Sequence, residues 1–305
     1  MRLVTRSDFD GLVSAVLLKE KKMIDDIQFV HPKDIQDGKI DIDSNDILVN
    51  IPYSKGCGYW FDHHTRKEER NTIGDFKGIS NPFAPSAAQV VYEYYKGYEG
   101  FKDDHIHELI QATNKANSAQ FTIQEILNPT DWVLISFITD PRAGLGRYHD
   151  YRISNYNLMM DMVDYLREKK AHEILTIPDV KERMDRFLEQ ESNFKAMLKK
   201  CTTTKNNVII IDLRDEKEIF TGNRFLVYSL FPEQNISIQI MWKVQRQNIV
   251  LACGYSIINK TATADIGRIM FKYGGGGHKK AGTCQIPVER AVRTIDEIIK
   301  AFTTK

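Results

Sequence analysis

Three stretches of this chain carry side chains that could act together. The first is Asp62-His63-His64, which closes the apolar stretch Tyr59-Trp60-Phe61. Imidazole and carboxylate are ligands for a divalent transition ion such as Mn²⁺. A short apolar run before them reads as a buried strand, and such a strand delivers its C-terminal residues to the crevice where open α/β sheets bind ligands. Read alone, the triplet is equally a helix cap beside a paired core histidine. The second stretch, Asp8-Phe9-Asp10-Gly11, sets two carboxylates at i and i+2 in a turn, where both can face one ion. The alternative is structural: Asp10 caps the following helix and Asp8 closes an Asx-turn. The third stretch is Gly274-Gly275-Gly276-Gly277, followed by His278, Lys279 and Lys280. Four glycines cost much conformational entropy on folding, so the backbone there is expected to approach something closely. Successive N–H groups would form an anion nest, and the histidine and lysines would add donors and charge. One glycine is enough to end a helix, so phosphate binding explains this run better.

The elements that must position these groups can be read from periodicity. Strands are expected at 2–5, 27–30, 47–50 and 59–61, with helices at 12–22, 84–96, 105–117, 131–138 and 156–170. Residues 31–38 read as a loop. Strands alternating with helices predict an α/β fold with a parallel sheet and right-handed crossovers. Residues 179–200 read as one long charged connecting helix, and the polar stretch 202–207 as a boundary. A second, smaller α/β unit follows. Its strands are expected at 208–211, 236–242, 249–256 and 281–286, and its helices at 223–230, 265–273 and 288–302. The expected division is thus 1–178, a connecting segment 179–205, and 206–305.

With 305 residues, 42% hydrophobic and 27% charged, the chain can bury a full globular core. A net charge of +1 gives no sign of a general nucleic-acid surface, though a local basic groove is compatible with it. No apolar run approaches the ~20 residues of a membrane span. Met1-Arg2-Leu3-Val4 runs directly into a strand-like segment, without a leader. Cys57, Cys201, Cys253 and Cys284 lack CxxC spacing and read as reduced thiols. The expectation is a cytoplasmic protein without membrane contact.

In their order along essentially the whole chain, these stretches resemble the DHH phosphoesterase superfamily with its C-terminal DHH-associated domain. Asp62-His63-His64 stands at the naming motif, Gly274 to His278 at the glycine-rich motif of the associated domain, and Asp8 and Asp10 at the first motif. The resemblance implies an N-terminal domain bearing Mn²⁺ or Mg²⁺ and a smaller domain closing on the substrate across a cleft. It also implies hydrolysis of a phosphodiester, phosphomonoester or phosphoanhydride, with oligoribonucleases, nucleotide phosphatases, cyclic dinucleotide phosphodiesterases and exopolyphosphatases among the relatives. The substrate would be a small phosphorylated molecule or a short single-stranded nucleic acid. Departures from the pattern are specific. The first-motif histidine falls at Val4 and the second-motif aspartate at Asn50. The fourth-motif aspartate falls at Asn117 or at Asp140 in Thr139-Asp140-Pro141-Arg142, and the family's serine-x-arginine would fall at Ser256 to Asn259, where no arginine stands. The resemblance therefore implies metal ligation by Asp8, Asp10 and His63 with Asn50, Asn117 or Asp140, and one ion rather than two. It likewise implies catalytic roles for Asp62, His63 and His64, and substrate binding by Gly274, Gly275, Gly276, Gly277, His278, Lys279 and Arg142. His31, Lys33 and Asp34 are candidates to replace the lost ligands. Tyr53, Trp60, Phe83, Tyr148 and Tyr255 are aromatic residues that could stack a base. A catalytically weakened nucleotide-binding protein remains the alternative, and a homodimer is left open.

Overall fold

Five short apolar segments form a parallel sheet in the order β2-β1-β3-β4-β5. They are β1 (Arg2–Thr5), β2 (Asp26–Phe29), β3 (Asp46–Val49), β4 (Tyr59–Asp62) and β5 (Gly78–Ser80). The computed structural model describes residues 1–64, 73–243 and 246–303. Every residue of β3 is buried, as are Trp60, Phe61 and Asp62 of β4. A parallel sheet covered on both faces requires such continuous burial. The strand order reverses between β1 and β3. In open α/β sheets the ligand crevice lies at that switch point, beyond the C-terminal strand ends. Helix Phe9–Glu20 is buried from Phe9 to Leu18 and packs against helices Ala87–Tyr94, Asp104–Asn117 and Asn155–Glu168.

The chain forms two compact units, Met1–Phe121 with Pro129–Phe187, and Thr122–Asn128 with Leu188–Lys305. The second unit holds a six-stranded sheet in the order β10-β11-β9-β8-β7-β6. Its strands are β6 (Thr202–Lys205), β7 (Val208–Asp212), β8 (Ile236–Trp242), β9 (Asn248–Tyr255), β10 (Gly276–His278) and β11 (Ala281–Pro287). Only β7 and β8 pair in parallel. Ile238, Leu251, Ile266, Ile298 and Phe302 belong to its buried core, which the helix Ala291–Thr303 covers. Among the described residues no helix is long and apolar enough to cross a membrane.

The class is α/β, as the alternation of strands and helices predicted. Four local expectations change. Residues 31–38 contain the helix Pro32–Gln36, capped by the ring of His31 and started by Pro32. The expected helix 179–200 is two helices, Pro178–Glu189 and Glu191–Cys201, broken at Gln190, whose side chain accepts from Thr221 N at 2.7 Å. Polar residues 202–205 are an edge strand, because β-branched threonines suit an exposed ladder and Asn206-Asn207 closes a two-residue hairpin to β7. The second half of the glycine run is also a strand.

Candidate active site

The chain leaves β1 at Thr5 and turns at once into helix Phe9–Glu20. The turn is tight enough that a Cβ at Gly11 would lie 2.0 Å from the carbonyl oxygen of Arg6. Only glycine fits there, and the close approach fixes the backbone of Arg6 against the helix start. Asp8, not Asp10, is the helix cap: its Oδ1 accepts from Gly11 N at 3.1 Å. The same oxygen accepts from Nδ2 of Asn50 at 2.9 Å, and Oδ2 pairs with Nε of Arg6 at 2.9 Å. Asn50, just past β3, holds φ at +60°, a conformation that asparagine and aspartate tolerate best among residues with a side chain. Asp10 points elsewhere. Its two oxygens accept from Ala87 N at 2.9 Å and Ala88 N at 2.8 Å, at the positive end of helix Ala87–Tyr94. Burial pushes its pKa up; His63 pulls against this, and the neighbouring charge of Asp8 adds to it.

His63 Nδ1 lies 3.0 Å from the carbonyl oxygen of Ala84. A carbonyl only accepts, so Nδ1 carries the proton and Nε2 of the neutral ring keeps its lone pair. A backbone carbonyl holding one ring nitrogen so that the other is free to bind is the usual support of a metal-ligating histidine. Burial and then the charge of His64 push the pKa of His63 down, which keeps it neutral. Its Nε2 stands 3.7 Å from Oδ2 of Asp10. Two electron-rich groups facing each other at that distance can be joined by one cation, since two bonds of about 2.1 Å span it. Asn117 is the third group: its amide nitrogen lies 3.1 Å from Nε2 and donates to Pro85 O at 3.0 Å. A half-turn of that amide presents oxygen instead. Among the described residues, no three His, Cys, Asp or Glu side chains gather as a metal site. The donors here are one carboxylate, one imidazole and amides.

His64 belongs to Asp62. Asp62 Oδ1 is 3.0 Å from His64 Nδ1, and Oδ2 accepts from His64 N at 2.8 Å. Partial desolvation opposes a charge on His64, whose side chain is 42% exposed, but the hydrogen bond and charge of Asp62 outweigh it and hold the pKa above the ordinary imidazole value. Burial would raise Asp62; the bonds and charge of His64 outweigh it, so its pKa is lowered. The two adjacent histidines are thus set to different protonation states.

The remaining expected ligands separate. Val4 is fully buried, packed with Leu48, Ile51 and Trp60, so the position of the missing histidine is part of the core. Asn117, and not Asp140, reaches His63; Asp140 caps the turn Pro141–Ala143 and pairs with Arg142 Nε at 2.7 Å. Asp8 is held by Arg6, Asn50 and Gly11, which departs from its expected role as a metal ligand. His31 caps a helix, while Lys33 pairs with Asp37 and Asp34 with Lys39, so these three do not replace the lost ligands. Arg142 is exposed, and the charge of Asp8 is among those that stabilise its guanidinium.

The glycine run corrects the expected nest. The N–H groups of Gly274 and Gly275 donate to Phe271 O and Met270 O, ending helix Ile266–Phe271. Gly276 to His278 form β10, paired with β11 around the turn at Lys279 and Lys280. Gly274 needs its φ of +74°. A Cβ on Gly275 would lie 2.1 Å from Thr283 O, and one on Gly277 would lie 2.3 Å from Ala281 O. Gly276 alone has neither constraint: nothing lies within 4 Å of its would-be Cβ. His278 and Lys279 are exposed, and His278 Nδ1 accepts from Lys280 N at 3.2 Å.

Of the five aromatics, Trp60 is fully buried and Tyr53 packs edge-on against it. Tyr148 lies under Arg186, and Tyr255 donates to Ala264 O. Phe83 is different: it is 93% exposed. Its turn is anchored to β4 on both sides, through Asn81 N to Asp62 O at 2.9 Å and Ala84 O to His63. Arg6 carried no expectation from the sequence. Its signal was position, a guanidinium two residues before Asp8 in the β1 turn.

No protein-family model matches this chain, and no curated protein is significantly similar to it in sequence. Among solved structures, it is 48% identical to the pGpG-specific phosphodiesterase PggH from Vibrio cholerae, covering 98% of each chain with a TM-score of 0.80. The chain belongs to the DHH phosphoesterase superfamily. At 12% identity it shares the fold of the DHH domain of PF0399, a member of the S1p family of ribosomal proteins (TM-score 0.59, 98% of this chain and 85% of that one). At 12% identity it also shares the fold of the exonuclease RecJ bound to manganese (TM-score 0.53, 100% and 91%). The chemistry supported for this DHH chain is hydrolysis of a phosphoester of a small nucleotide.

Proposed function

We propose that the protein is a metal-dependent phosphodiesterase that cleaves pGpG, or closely similar 5′-phosphorylated dinucleotides, to mononucleotides. The observation that carries this reading is His63, with Nδ1 held by Ala84 O and Nε2 facing the Asp10 carboxylate at 3.7 Å, in a chain 48% identical to a pGpG-specific enzyme. Asp10 and His63, with the Asn117 amide oxygen, would hold one Mn²⁺ or Mg²⁺. Imidazole favours the former, and hard oxygen donors admit the latter. Such an ion supplies Lewis acidity towards a phosphoryl oxygen and the attacking water.

The chain's own groups do the rest. Water adds to the bridging phosphorus, the P–O3′ bond breaks, the departing 3′-oxygen takes a proton, and the water's own proton passes by way of the new 5′-phosphate to solvent. Protonated His64, held by Asp62, is the donor suited to that step. Its raised pKa keeps the proton on at a pH where His63 stays neutral. Arg142 offers a charged donor to the phosphate, and Phe83 a ring face for a base. Within the second unit, Gly276, His278 and Lys279 are the groups suited to a phosphate, Gly276 by letting the backbone come close and the other two by charge.

The test is Mn²⁺ binding and pGpG cleavage by the His63→Ala and Asp10→Asn proteins beside the unmodified one. Both variants should lose stoichiometric Mn²⁺ and fall at least about 10²-fold in kcat. Full Mn²⁺ occupancy in His63→Ala would show that the ion, if any, sits elsewhere.

A further inference from the structure

Phosphoryl transfer spreads negative charge over the equatorial oxygens, and sites that perform it place more than one positive charge around them, as two metals or as a metal with an arginine. The cation position at Asp10 and His63 accounts for one. The other carboxylate of the first-motif turn, Asp8, is not disposed to receive a second ion. One of its oxygens already accepts from Asn50 and Gly11, and the other faces the guanidinium of Arg6 at 2.9 Å. Val4 and Asn50 stand where the family pattern has a histidine and an aspartate, so no further anionic ligand adjoins Asp8 at either position.

We propose that Arg6 is a fixed internal cation that fills the place of a second metal, so that the site works with one ion and, besides the exposed Arg142, a guanidinium built into the first-motif turn. Resting on the phosphodiesterase reading above, this makes Arg6 a residue that touches the phosphoryl group of the substrate. Three observations support it. The backbone of Arg6 is locked by the close approach of Gly11, where a Cβ would come within 2.0 Å of its carbonyl oxygen. Nε is bound to Asp8, and among the described residues the terminal nitrogens make no hydrogen bond, leaving a fork of donors. The Arg6 side chain is 29% exposed, so the fork is not closed off by packing. Arg6 therefore presents its guanidinium beside Asp8, in the same turn that carries Asp10. A cation that is always charged and needs no cofactor explains how this chain can lack those ligands and still be built for hydrolysis.

The test counts bound ions and measures turnover. Unmodified protein is stripped with EDTA, dialysed against excess Mn²⁺ and assayed for metal per chain, with pGpG as the kinetic probe. One ion per chain is expected. Arg6→Ala should keep that ion and lose kcat by about 10²–10³-fold, the scale of removing one preorganised donor to a developing charge. Arg6→Lys should recover part of the loss, and Arg6→Gln replaces Arg6→Ala if the latter melts early. Arg6→Ala combined with Asn50→Asp should take up a second ion, because the guanidinium is gone and a carboxylate is restored at a φ that aspartate tolerates. Two ions or none in the unmodified protein overturns the proposal, as does Arg6→Ala with kcat within about threefold of normal. The double variant remaining at one ion overturns it whatever the activity. If the unmodified protein binds one ion but leaves pGpG intact, the phosphodiesterase reading fails by itself, and the ion count of the double variant still decides the role of Arg6.

Discussion

Replacing the glycines of 274–277 one at a time by alanine separates what the fold needs from what a ligand needs. Gly275→Ala drives a methyl group to 2.1 Å from Thr283 O and 2.5 Å from the Cβ of Cys284, in the pairing of β10 with β11. Overpacking of this kind costs about 1–3 kcal/mol. Gly277→Ala adds a residue with a side chain at φ +146°, also against backbone, with a strain of about 1–3 kcal/mol. For a domain of ~100 residues each kcal/mol moves Tm by roughly 4–8 °C, so both variants should melt about 4–24 °C lower. Gly276→Ala has open space and an ordinary φ, and its stability should stay within about 0.5 kcal/mol. A phosphate approaching that backbone would meet the new methyl. Affinity for pGpG should therefore fall about tenfold or more, near 1.4 kcal/mol. The assay is calorimetric melting beside isothermal titration with pGpG in a His64→Ala background that does not turn over. Gly276→Ala that melts as early as Gly275→Ala would refute the packing geometry. Gly276→Ala with normal Tm and normal pGpG affinity would refute a phosphate site at this strand.

Other outcomes follow from single contacts. Phe83→Ala should raise KM for pGpG by about 5–100-fold with little change in Tm, because the ring is already exposed and base stacking is worth about 1–3 kcal/mol; unchanged KM would remove Phe83 from the substrate site. Asp62→Asn takes away the charge that raises the His64 pKa, so the alkaline limb of the kcat–pH profile should move to lower pH. Asp150, held down to about 2 by hydrogen bonds from Arg186, stabilises the fold above its ordinary carboxylate range, and that contribution disappears as pH falls towards 2. The Tm of Asp150→Asn should therefore trail that of the unmodified protein near pH 6 and converge with it near pH 2. Asn117→Asp should tighten Mn²⁺ binding, measured by titration, since it exchanges a neutral amide for a carboxylate beside His63.

Four strands of the parallel sheet were legible, the central ones because they are short β-branched or aromatic runs with continuous burial, such as Ile47 to Val49; Gly78–Ser80, with one buried residue, was not. Asp62-His63-His64 was legible as chemistry because its residue types are rarely neighbours by accident. Their division of labour was not, since it depends on Ala84 O and Asp62, partners that only folding supplies. Arg6 lay hidden for the same reason: a surface arginine and an arginine locked on Asp8 look alike in sequence. The glycine run was read by composition as one loop of equivalent residues. In the fold three of them answer to backbone contacts or to φ, and one does not. Residues 202–205 misled through polarity, because an edge strand has no buried face to give it an apolar alternation.

Hydrolysis of pGpG with an ion bound by Asp10 and His63 stands or falls on one experiment. The direct measurement is the product formed from pGpG by purified protein, first stripped with EDTA and then titrated with Mn²⁺. No product is expected without metal, and GMP as the sole nucleotide product with it, the rate saturating as one ion per chain is taken up. Intact pGpG at full Mn²⁺ occupancy would contradict it, as would cleavage undiminished by EDTA.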